Sequence, residues 1–321
     1  METHVPRLNV HLDTDLGGDS DDLCALAWLL RSPLASVVGV TTDTDFDGRR
    51  VLMTEAAIEL AGHPMVPIWR GAAGVIGGFG MEMAHGDLDR YWPTSIADSL
   101  KPTPQDSSPP SRALGALAAA IASGDTIVGI GPWTNLALLE VLRPGSLANA
   151  NLVLMGGCIR SMPAGFPDWH WDYDYNIQQD AEAAAIVLEN SDPILVPVEM
   201  TIQFALTESD AQRLILGDDL CQVLARQAKE YAIDNDHAAL AAQYSGLPRD
   251  LLNFQHDALA CMAAVGVDGI SVERLPLEIR REGRLLRLIE SPNGRPTRVV
   301  TKVDVPMLRE RWIDTVLLEN L

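Results

Sequence analysis

Five aspartates occupy ten consecutive positions near the start of the chain: Asp13, Asp15, Asp19, Asp21 and Asp22. Carboxylates so close together repel one another, so clustering of this kind indicates that a cation is bound among them. Two glycines interrupt the run and let the chain turn tightly, which would bring the early aspartates against the later ones. The types and spacing of these residues predict a cradle for a divalent metal ion.

The residues on either side of this cradle predict a strand followed by a helix. Apolar residues alternate with polar ones from Leu8 to Leu12, and from Leu23 onwards they recur at helical spacing. Asp21 and Asp22 therefore lie at a helix N-terminus, where the macrodipole favours negative charge. Ligands of open α/β sheets bind at the carboxyl ends of the strands, so we expect a site at this turn.

The composition excludes several classes of partner. The 321 residues are 47% hydrophobic, with 24 Lys and Arg against 44 Asp and Glu, a formal charge of −20. We therefore expect neither a nucleic acid nor an anionic membrane as partner. The sequence has no signal-like apolar region at its start and no uncharged apolar stretch of about 18 residues. Its four cysteines are far apart in apolar surroundings, which is typical of reduced thiols in the cytoplasm.

Strand-like and helix-like segments alternate over the first two-thirds of the chain. The candidate strands are residues 7–13, 36–42, 66–70, 126–130, 151–155 and 193–198, and the candidate helices are residues 21–31, 49–62, 111–123, 134–142 and 179–189. This alternation predicts an α/β fold with a mostly parallel open sheet flanked by helices. Residues 203–265 have a helical pattern, residues 271–303 predict short strands, and residues 304–318 predict a closing helix. No linker is evident, so we predict one domain over residues 1–321.

Two long irregular stretches interrupt the alternation, residues 71–110 and residues 157–178. The first is rich in Gly and Pro, and the second contains Trp169, Trp171 and other aromatic residues. Loops this long in a compact domain are either functional or disordered. The density of aromatic residues indicates a function for the second stretch.

Short motifs follow one another along the chain: DTDLG at 13–17, DDLCAL at 21–26, GPWTNLA at 131–137, MGG at 155–157, DYN at 174–176, DAEAA at 180–184 and HDALA at 256–260. They resemble, in order, the signature motifs of the inosine–uridine preferring nucleoside hydrolase family. The resemblance implies a Rossmann-like nucleoside hydrolase core and calcium-dependent hydrolysis of the N-glycosidic bond of a ribonucleoside by a metal-activated water. It also implies a small-molecule nucleoside as substrate and a homodimer or homotetramer.

The resemblance further implies a role for each matched position. Asp15 would bind calcium and act as general base. Asp22, Asp257 and the backbone carbonyl of Thr134 would complete the metal ligands. His256 would help the departing base to accept a proton.

Ribose hydroxyls would be held by Asp21, Asp174 and Asn176, again by resemblance. The family's T-T-V-x-G-N stretch corresponds to residues 41–47, where the asparagine is missing. Asp45 or Asp47 would take its place at the sugar.

Two assignments stay open. The segment between Gly17 and the aspartate pair is two residues longer than in the commonest signature. An ungapped alignment would instead place Asp19 and Ser20 at the two positions of the signature's aspartate pair. We favour Asp21 and Asp22, with Asp19 as an outer or substitute ligand.

The contacts with the leaving base are also open. His85 lies in a segment similar to the family's H-G-x-D motif, and Trp169 or Trp171 has an aromatic face that could stack on the base. These residues are candidates for binding the base, whose identity the sequence does not reveal.

Two other functions fit parts of the sequence. A phosphohydrolase of the haloacid-dehalogenase type would use Asp13 as nucleophile, but none of the three lysines follows a clear strand with a downstream acidic pair. A catalytically silent ribose- or calcium-binding homologue would keep the carboxylate cradle. The presence of both Asp15 and His256 favours the hydrolase.

Overall fold

The computed structural model of the chain describes residues 7–77, 91–93, 96 and 111–319. His85, a candidate base contact, lies outside the described residues, as does most of the first long irregular stretch.

The described chain is an α/β structure whose elements follow the predicted order. The strands are β1 (Leu8–Thr14), β2 (Ala35–Thr42), β3 (Ile68–Arg70), β4 (Thr126–Gly129), β5 (Asn151–Met155), β6 (Ile194–Val196), β7 (Ala205–Thr207), β8 (Leu251–Phe254), β9 (Ile270–Glu282), β10 (Leu285–Glu290) and β11 (Arg295–Val303). The helices are α1 (Asp21–Arg31), α2 (Arg49–Leu60), α3 (Ser111–Ser123), α4 (Thr134–Leu142), α5 (Tyr175–Gln179), α6 (Ala181–Asn190), α7 (Val198–Thr201), α8 (Glu208–Leu214), α9 (Asp219–Asp234), α10 (His237–Gln243), α11 (His256–Ala264) and α12 (Val305–Leu317).

Nine of the described strands form one sheet in the order β10-β9-β11-β6-β5-β4-β1-β2-β3. From β11 to β3 each neighbouring pair is parallel, whereas β9 runs antiparallel to both β10 and β11. The prediction of a mostly parallel sheet flanked by helices is thus confirmed. Since β1 lies between β2 and β4, the carboxyl ends of these three strands meet at one edge.

Both faces of the sheet are buried, and this explains the nearly continuous apolar strands. On β4, Val128 packs into one hydrophobic cluster together with α1, α9, α11 and α12. Its neighbour Ile127 packs into a second cluster together with α3, α4 and α6 on the other face. Successive side chains of a strand point to opposite faces, so helices cover the sheet on both sides.

The structure differs from the sequence prediction in residues 203–265. This region is not wholly helical, because β7 and β8 pair there as a separate antiparallel ribbon. Strands of three and four residues are too short to show a period of two against the helical pattern around them. No helix in the described part of the chain combines the length and the apolar character needed to cross a bilayer.

Candidate active site

Three buried carboxylates converge beside the carboxyl edge of the sheet. One oxygen each from Asp21, Asp22 and Asp257 lies within 4.8 Å of the other two. The first two begin α1, and the third lies in the first turn of α11, which packs against α1. Both helix N-termini therefore direct their partial positive charge at this carboxylate cluster, by which we mean these three side chains.

The electrostatics of the carboxylate cluster favour a bound cation. Burial raises the pKa of Asp21, Asp22 and Asp257 well above the ordinary value, and the charges of neighbouring aspartates raise it further. Calcium takes oxygen ligands at about 2.4 Å, so any two of its ligand oxygens lie within about 5 Å of each other. An all-oxygen group of these dimensions fits such a hard cation.

Asp15 borders the carboxylate cluster without being one of its three members. Its charge contributes to the raised pKa of Asp21, Asp22 and Asp257. A Cβ atom on Gly131 would lie only 2.8 Å from Asp15 Oδ1, so the absence of a side chain there makes room for this carboxylate. Burial raises the pKa of Asp15 itself, while nearby Arg50 opposes the rise.

Thr14 holds one member of the carboxylate cluster in place. Its hydroxyl donates a hydrogen bond to Asp22, and its oxygen accepts one of 3.1 Å from the backbone N–H of Leu16. The sequence did not identify Thr14 as a site residue, although it lies between two assigned aspartates. Only the turn after β1 shows that its side chain faces the helix start.

Asn135 ties together the ends of three strands behind the site. Its Nδ2 donates to Asp13 Oδ1 at 2.8 Å and to the Thr42 carbonyl at 3.0 Å, and its Oδ1 accepts from the N–H of Ala72 at 2.8 Å. Asp13 also accepts from the Thr41 hydroxyl, and burial raises its pKa to about 7. Asp13 is therefore an interior brace and not the exposed nucleophile that a phosphohydrolase would need.

Thr134 lies at the start of α4, directly after the end of β4, where its carbonyl was expected to be a ligand. Its hydroxyl donates to Asp180 Oδ2 at 2.8 Å. The same carboxylate accepts from the N–H groups of Ile76 at 2.7 Å and Ala183 at 3.1 Å. Asp180 thus fixes the start of α4 to the loop after β3. No role was assigned to it from the sequence, although it begins the DAEAA motif.

Asp174 and Asn176 are held rigidly at the ends of β4 and β5. Asp174 accepts from the N–H of Gly157, and burial raises its pKa to about 6. Asn176 Nδ2 donates to the Ile130 carbonyl at 2.8 Å and to the Met155 carbonyl at 3.2 Å. Both expected ribose contacts are therefore on the edge of the sheet that carries the site.

The alternative ligand Asp19 is not a member of the carboxylate cluster, although its charge acts on Asp21 and Asp22. It accepts hydrogen bonds from the side chains of Asn253 and Tyr231 and from the N–H of Ser20 at 2.5 Å. The carboxylate cluster accordingly contains Asp21 and not Asp19. The two extra residues of the connection let Asp19 reach the wall formed by β8 and α9.

The structure does not bring Asp45 to the carboxylate cluster. Its oxygens accept from the N–H groups of Gly48 at 2.8 Å, Val51 at 3.2 Å and Arg50 at 3.3 Å, at the start of α2. The alternative residue, Asp47, pairs with its neighbour Arg49 at 2.7 Å. The turn into α2 thus uses both carboxylates for its own hydrogen bonds and ion pairs, and the ribose contact expected of Asp45 has no support in this geometry.

Aromatic rings line the approach to His256. Its Nδ1 lies 2.6 Å from Thr201 Oγ1, and its ring lies 5.5 Å from that of Phe254. Trp169 packs edge-on against Phe254 at 5.5 Å and stacks on Tyr173 at 6.3 Å. Burial lowers the pKa of His256 to about 4, so the imidazole is neutral at pH 7.

The two tryptophans of the second irregular stretch have different surroundings. Trp169 joins the aromatic group around His256, whereas the Arg287 guanidinium lies over the ring of Trp171, 5.6 Å from its centroid. The geometry thus favours Trp169 over Trp171 as a contact for a base leaving near His256.

A family model for inosine-uridine preferring nucleoside hydrolases matches residues 10–310. The chain is similar to pyrimidine-specific ribonucleoside hydrolases RihA. It is 28% identical to that of Shewanella woodyi over 63% of this chain and 64% of the relative. It is 26% identical to that of Salmonella arizonae over 68% and 69%. The match to the Shewanella protein therefore spans slightly less than two thirds of that protein's length.

Solved structures share the fold over nearly the whole chain. A plant nucleoside hydrolase, PpNRh1, matches with a TM-score of 0.77 and 23% identity, covering 97% of this chain and 99% of its own. A purine-preferring ribonucleoside hydrolase from Gardnerella vaginalis matches with a TM-score of 0.73 and 21% identity, covering 96% and 98%. At these identities the likeness shows the fold alone.

Proposed function

Since this chain belongs to the inosine-uridine preferring nucleoside hydrolase family and is therefore a hydrolase acting on N-glycosyl bonds, we propose that it uses calcium to cleave a ribonucleoside into free base and ribose. The observation that carries this proposal is the carboxylate cluster of Asp21, Asp22 and Asp257. Such a group is costly to bury unless a cation balances it.

We assign the metal ligands to Asp15, Asp22, Asp257 and the carbonyl of Thr134. The two aspartates of the carboxylate cluster have oxygens close enough to share one ion, and Asp15 borders them at the end of β1. Calcium bound there would lower the pKa of a neighbouring water molecule. The ligand set combines carboxylates with a backbone carbonyl, as calcium sites commonly do.

Asp15 is the proposed general base. This role is supported by the closeness of Asp15 to Gly131 and by the effect of its charge on Asp22 in the carboxylate cluster. Asp15 would take the proton of a water molecule as its oxygen attacks the sugar carbon. The glycosidic bond breaks through an oxocarbenium-like sugar, and the surrounding carboxylates favour that positive charge.

The sugar would be oriented by Asp21, Asp174 and Asn176. Asp174 and Asn176 are held by backbone groups of the strand ends, so little side-chain freedom is lost when they bind a hydroxyl. Such fixed contacts would hold the scissile carbon near Asp15 and would lower the entropic cost of reaction.

His256 and Trp169 would receive the leaving base. A neutral imidazole donates a hydrogen bond from Nε2 if the Thr201 hydroxyl donates its hydrogen bond to Nδ1 and not to the Val198 carbonyl. The aromatic group around Trp169 would stack on the base. Because an aromatic face stacks on purines and pyrimidines alike, the proposed substrate class is ribonucleosides in general.

The function is tested by a reducing-sugar assay on a panel of purine and pyrimidine ribonucleosides. The protein is stripped with a chelator and then assayed with and without added calcium, with magnesium as the comparison ion. We expect free ribose only from the calcium-loaded protein. Phosphate release from a generic ester would identify a phosphohydrolase, and calcium binding without sugar release would identify a silent homologue.

We also propose that the chain acts in the cytoplasm as a homodimer or homotetramer. Its four cysteines are buried and free, as suits a reducing compartment. Sedimentation velocity measures the oligomeric state directly.

A further inference from the structure

Arg50 is a buried cation beside the carboxylate cluster. The residue is only 1% exposed and lies in the first turn of α2. Its Nη2 is 3.8 Å from Asp15 Oδ2, and its charge acts on both Asp15 and Asp22. Within the part of the chain that the structure describes, Nη2 has no hydrogen-bond acceptor. An arginine is rarely buried with a nitrogen unpaired, because the desolvation cost is high.

The other two nitrogens of the guanidinium bridge two loops. Nη1 donates to the carbonyl of Gly17 at 3.3 Å, in the connection after β1. Nε donates to the carbonyl of Thr44 at 3.4 Å, in the turn after β2. Thr44 has a φ of 45°, which is strained for a β-branched residue, so the hydrogen bond to its carbonyl supports this turn. The rigid fork of arginine suits such bridging.

The third nitrogen is consequently aimed at Asp15 by the two loop contacts. Asp15 is confined between this nitrogen and the bare Cα of Gly131. Because the Arg50 guanidinium is held by backbone carbonyls and does not donate a hydrogen bond to Asp15, both Asp15 oxygens remain available for other partners. The same positive charge offsets the repulsion among the aspartates when no metal is bound.

We propose that Arg50 is a positioning residue that orients Asp15 and supplies the fixed positive charge against which the carboxylate cluster is assembled. Its effect on calcium affinity rests on the proposed calcium site alone, whereas its effect on turnover rests also on the proposed hydrolysis. A fixed cation 3.8 Å from Asp15 opposes a divalent ion bound by that carboxylate, so Arg50 also limits how tightly calcium is held.

The test compares Arg50→Met with Arg50→Lys, and Arg49→Met serves as a matched control. Arg49 precedes Arg50 in the same helical turn and pairs with Asp47, away from the carboxylate cluster. Calcium affinity is measured by calorimetry on chelator-treated protein. Unfolding temperature is recorded with and without calcium, and kcat and KM are measured on a cleaved nucleoside.

We expect Arg50→Met to bind calcium about tenfold more tightly than the wild type, because one opposing charge is gone. Its unfolding temperature falls without calcium and recovers when calcium is added. Its kcat falls at least about tenfold with little change in KM, because Asp15 is no longer oriented. Arg50→Lys keeps the charge but cannot bridge both carbonyls, so its calcium affinity stays near the wild-type value while kcat falls.

A calcium affinity of Arg50→Met equal to that of Arg49→Met would overturn the inference. So would an equal loss of unfolding temperature with and without calcium, which marks a merely structural role. If Arg50→Met does not fold, an unchanged kcat in Arg50→Lys overturns it. A wild-type chain that binds no calcium overturns it too, whereas one that binds calcium and releases no sugar overturns the proposed function alone.

Discussion

Asp22 and Asp257 are 235 positions apart in the sequence, yet their carboxylate oxygens are within 4.8 Å of each other. The contact arises because α1 and α11 pack side by side and both begin near the same edge of the sheet. Each aspartate occupies the first turn of its helix, so the packing of the two helices fixes the positions of both Cα atoms. The topology thus imposes the repulsion that a metal ion would relieve.

The first prediction concerns the ligand from α11. Asp257→Ala should lose calcium binding by more than the roughly 10–100-fold seen when outer partners of metal ligands are removed, and activity with it. Metal content by inductively coupled plasma analysis and affinity by calorimetry measure the loss. Asp219→Ala is the matched control, because Asp219 also begins a helix but is exposed. Stoichiometric calcium retained by Asp257→Ala would remove it from the ligand set.

The variant Asp15→Asn distinguishes the proposed role of Asp15 as general base from its proposed role as metal ligand. The amide keeps an oxygen for the metal but cannot take a proton from water, so kcat should fall by about 10²–10⁴-fold while calcium stays bound. Turnover and calcium content are measured on the same preparation. Near-normal turnover with bound calcium would show that the base is elsewhere, and Asp21, within the carboxylate cluster, would be the next residue to test.

The sequence was informative where chemistry depends on local spacing. Asp21 and Asp22 could be assigned because a helix start and a carboxylate pair coincide in one short segment. The alternation of segments gave the order of strands and helices, with bounds close to those of β1, β5 and α1.

Contacts between distant segments could not be predicted from local spacing. Arg50 was missed because its relation to Asp15 exists only once α2 is packed beside the loop after β1. Asp45 stays a predicted sugar contact without support, because its oxygens accept hydrogen bonds from backbone N–H groups at the start of α2, which the sequence did not reveal. Asn135 was visible in a motif, but its bracing of three strand ends was not.

The raised pKa of Glu199 predicts that the free energy of unfolding depends on pH. Glu199 is buried in α7 and accepts from the N–H groups of Ile159 at 3.2 Å and Arg160 at 3.0 Å, and burial raises its pKa from 4.5 to about 7. Because the folded value lies above the ordinary one, its contribution to stability is present at low pH and is lost as pH rises toward and beyond 7.

Glu199→Gln stays neutral at every pH, so this loss should disappear. Between pH 5 and 8 the unfolding temperature of the variant should fall less than that of the wild type. Over this pH range the free energy of unfolding of the wild type should fall by at most about 3 kcal/mol more than that of the variant. Thermal unfolding across this range measures it, and Glu290→Gln, an exposed partner of Arg160, serves as control. Parallel curves for wild type and Glu199→Gln would show that the carboxyl titrates near its ordinary value.

The last prediction concerns His256 and the departing base. Since the pKa of the imidazole is lowered to about 4, it is not protonated in advance at pH 7. It can assist only by donating a hydrogen bond from Nε2, which requires the Thr201 hydroxyl to donate to Nδ1 instead of to the Val198 carbonyl, 3.3 Å away. His256→Ala should therefore slow natural nucleosides by about 10²-fold or more yet spare p-nitrophenyl riboside, whose leaving group needs no proton. Thr201→Val should show the same selectivity more weakly, because it removes only the hydroxyl that orients the ring. Steady-state kinetics on both substrates distinguish the roles. Equal losses on the two would mean that His256 orders the sugar or the metal site, and the assignment to the leaving group would have to be abandoned.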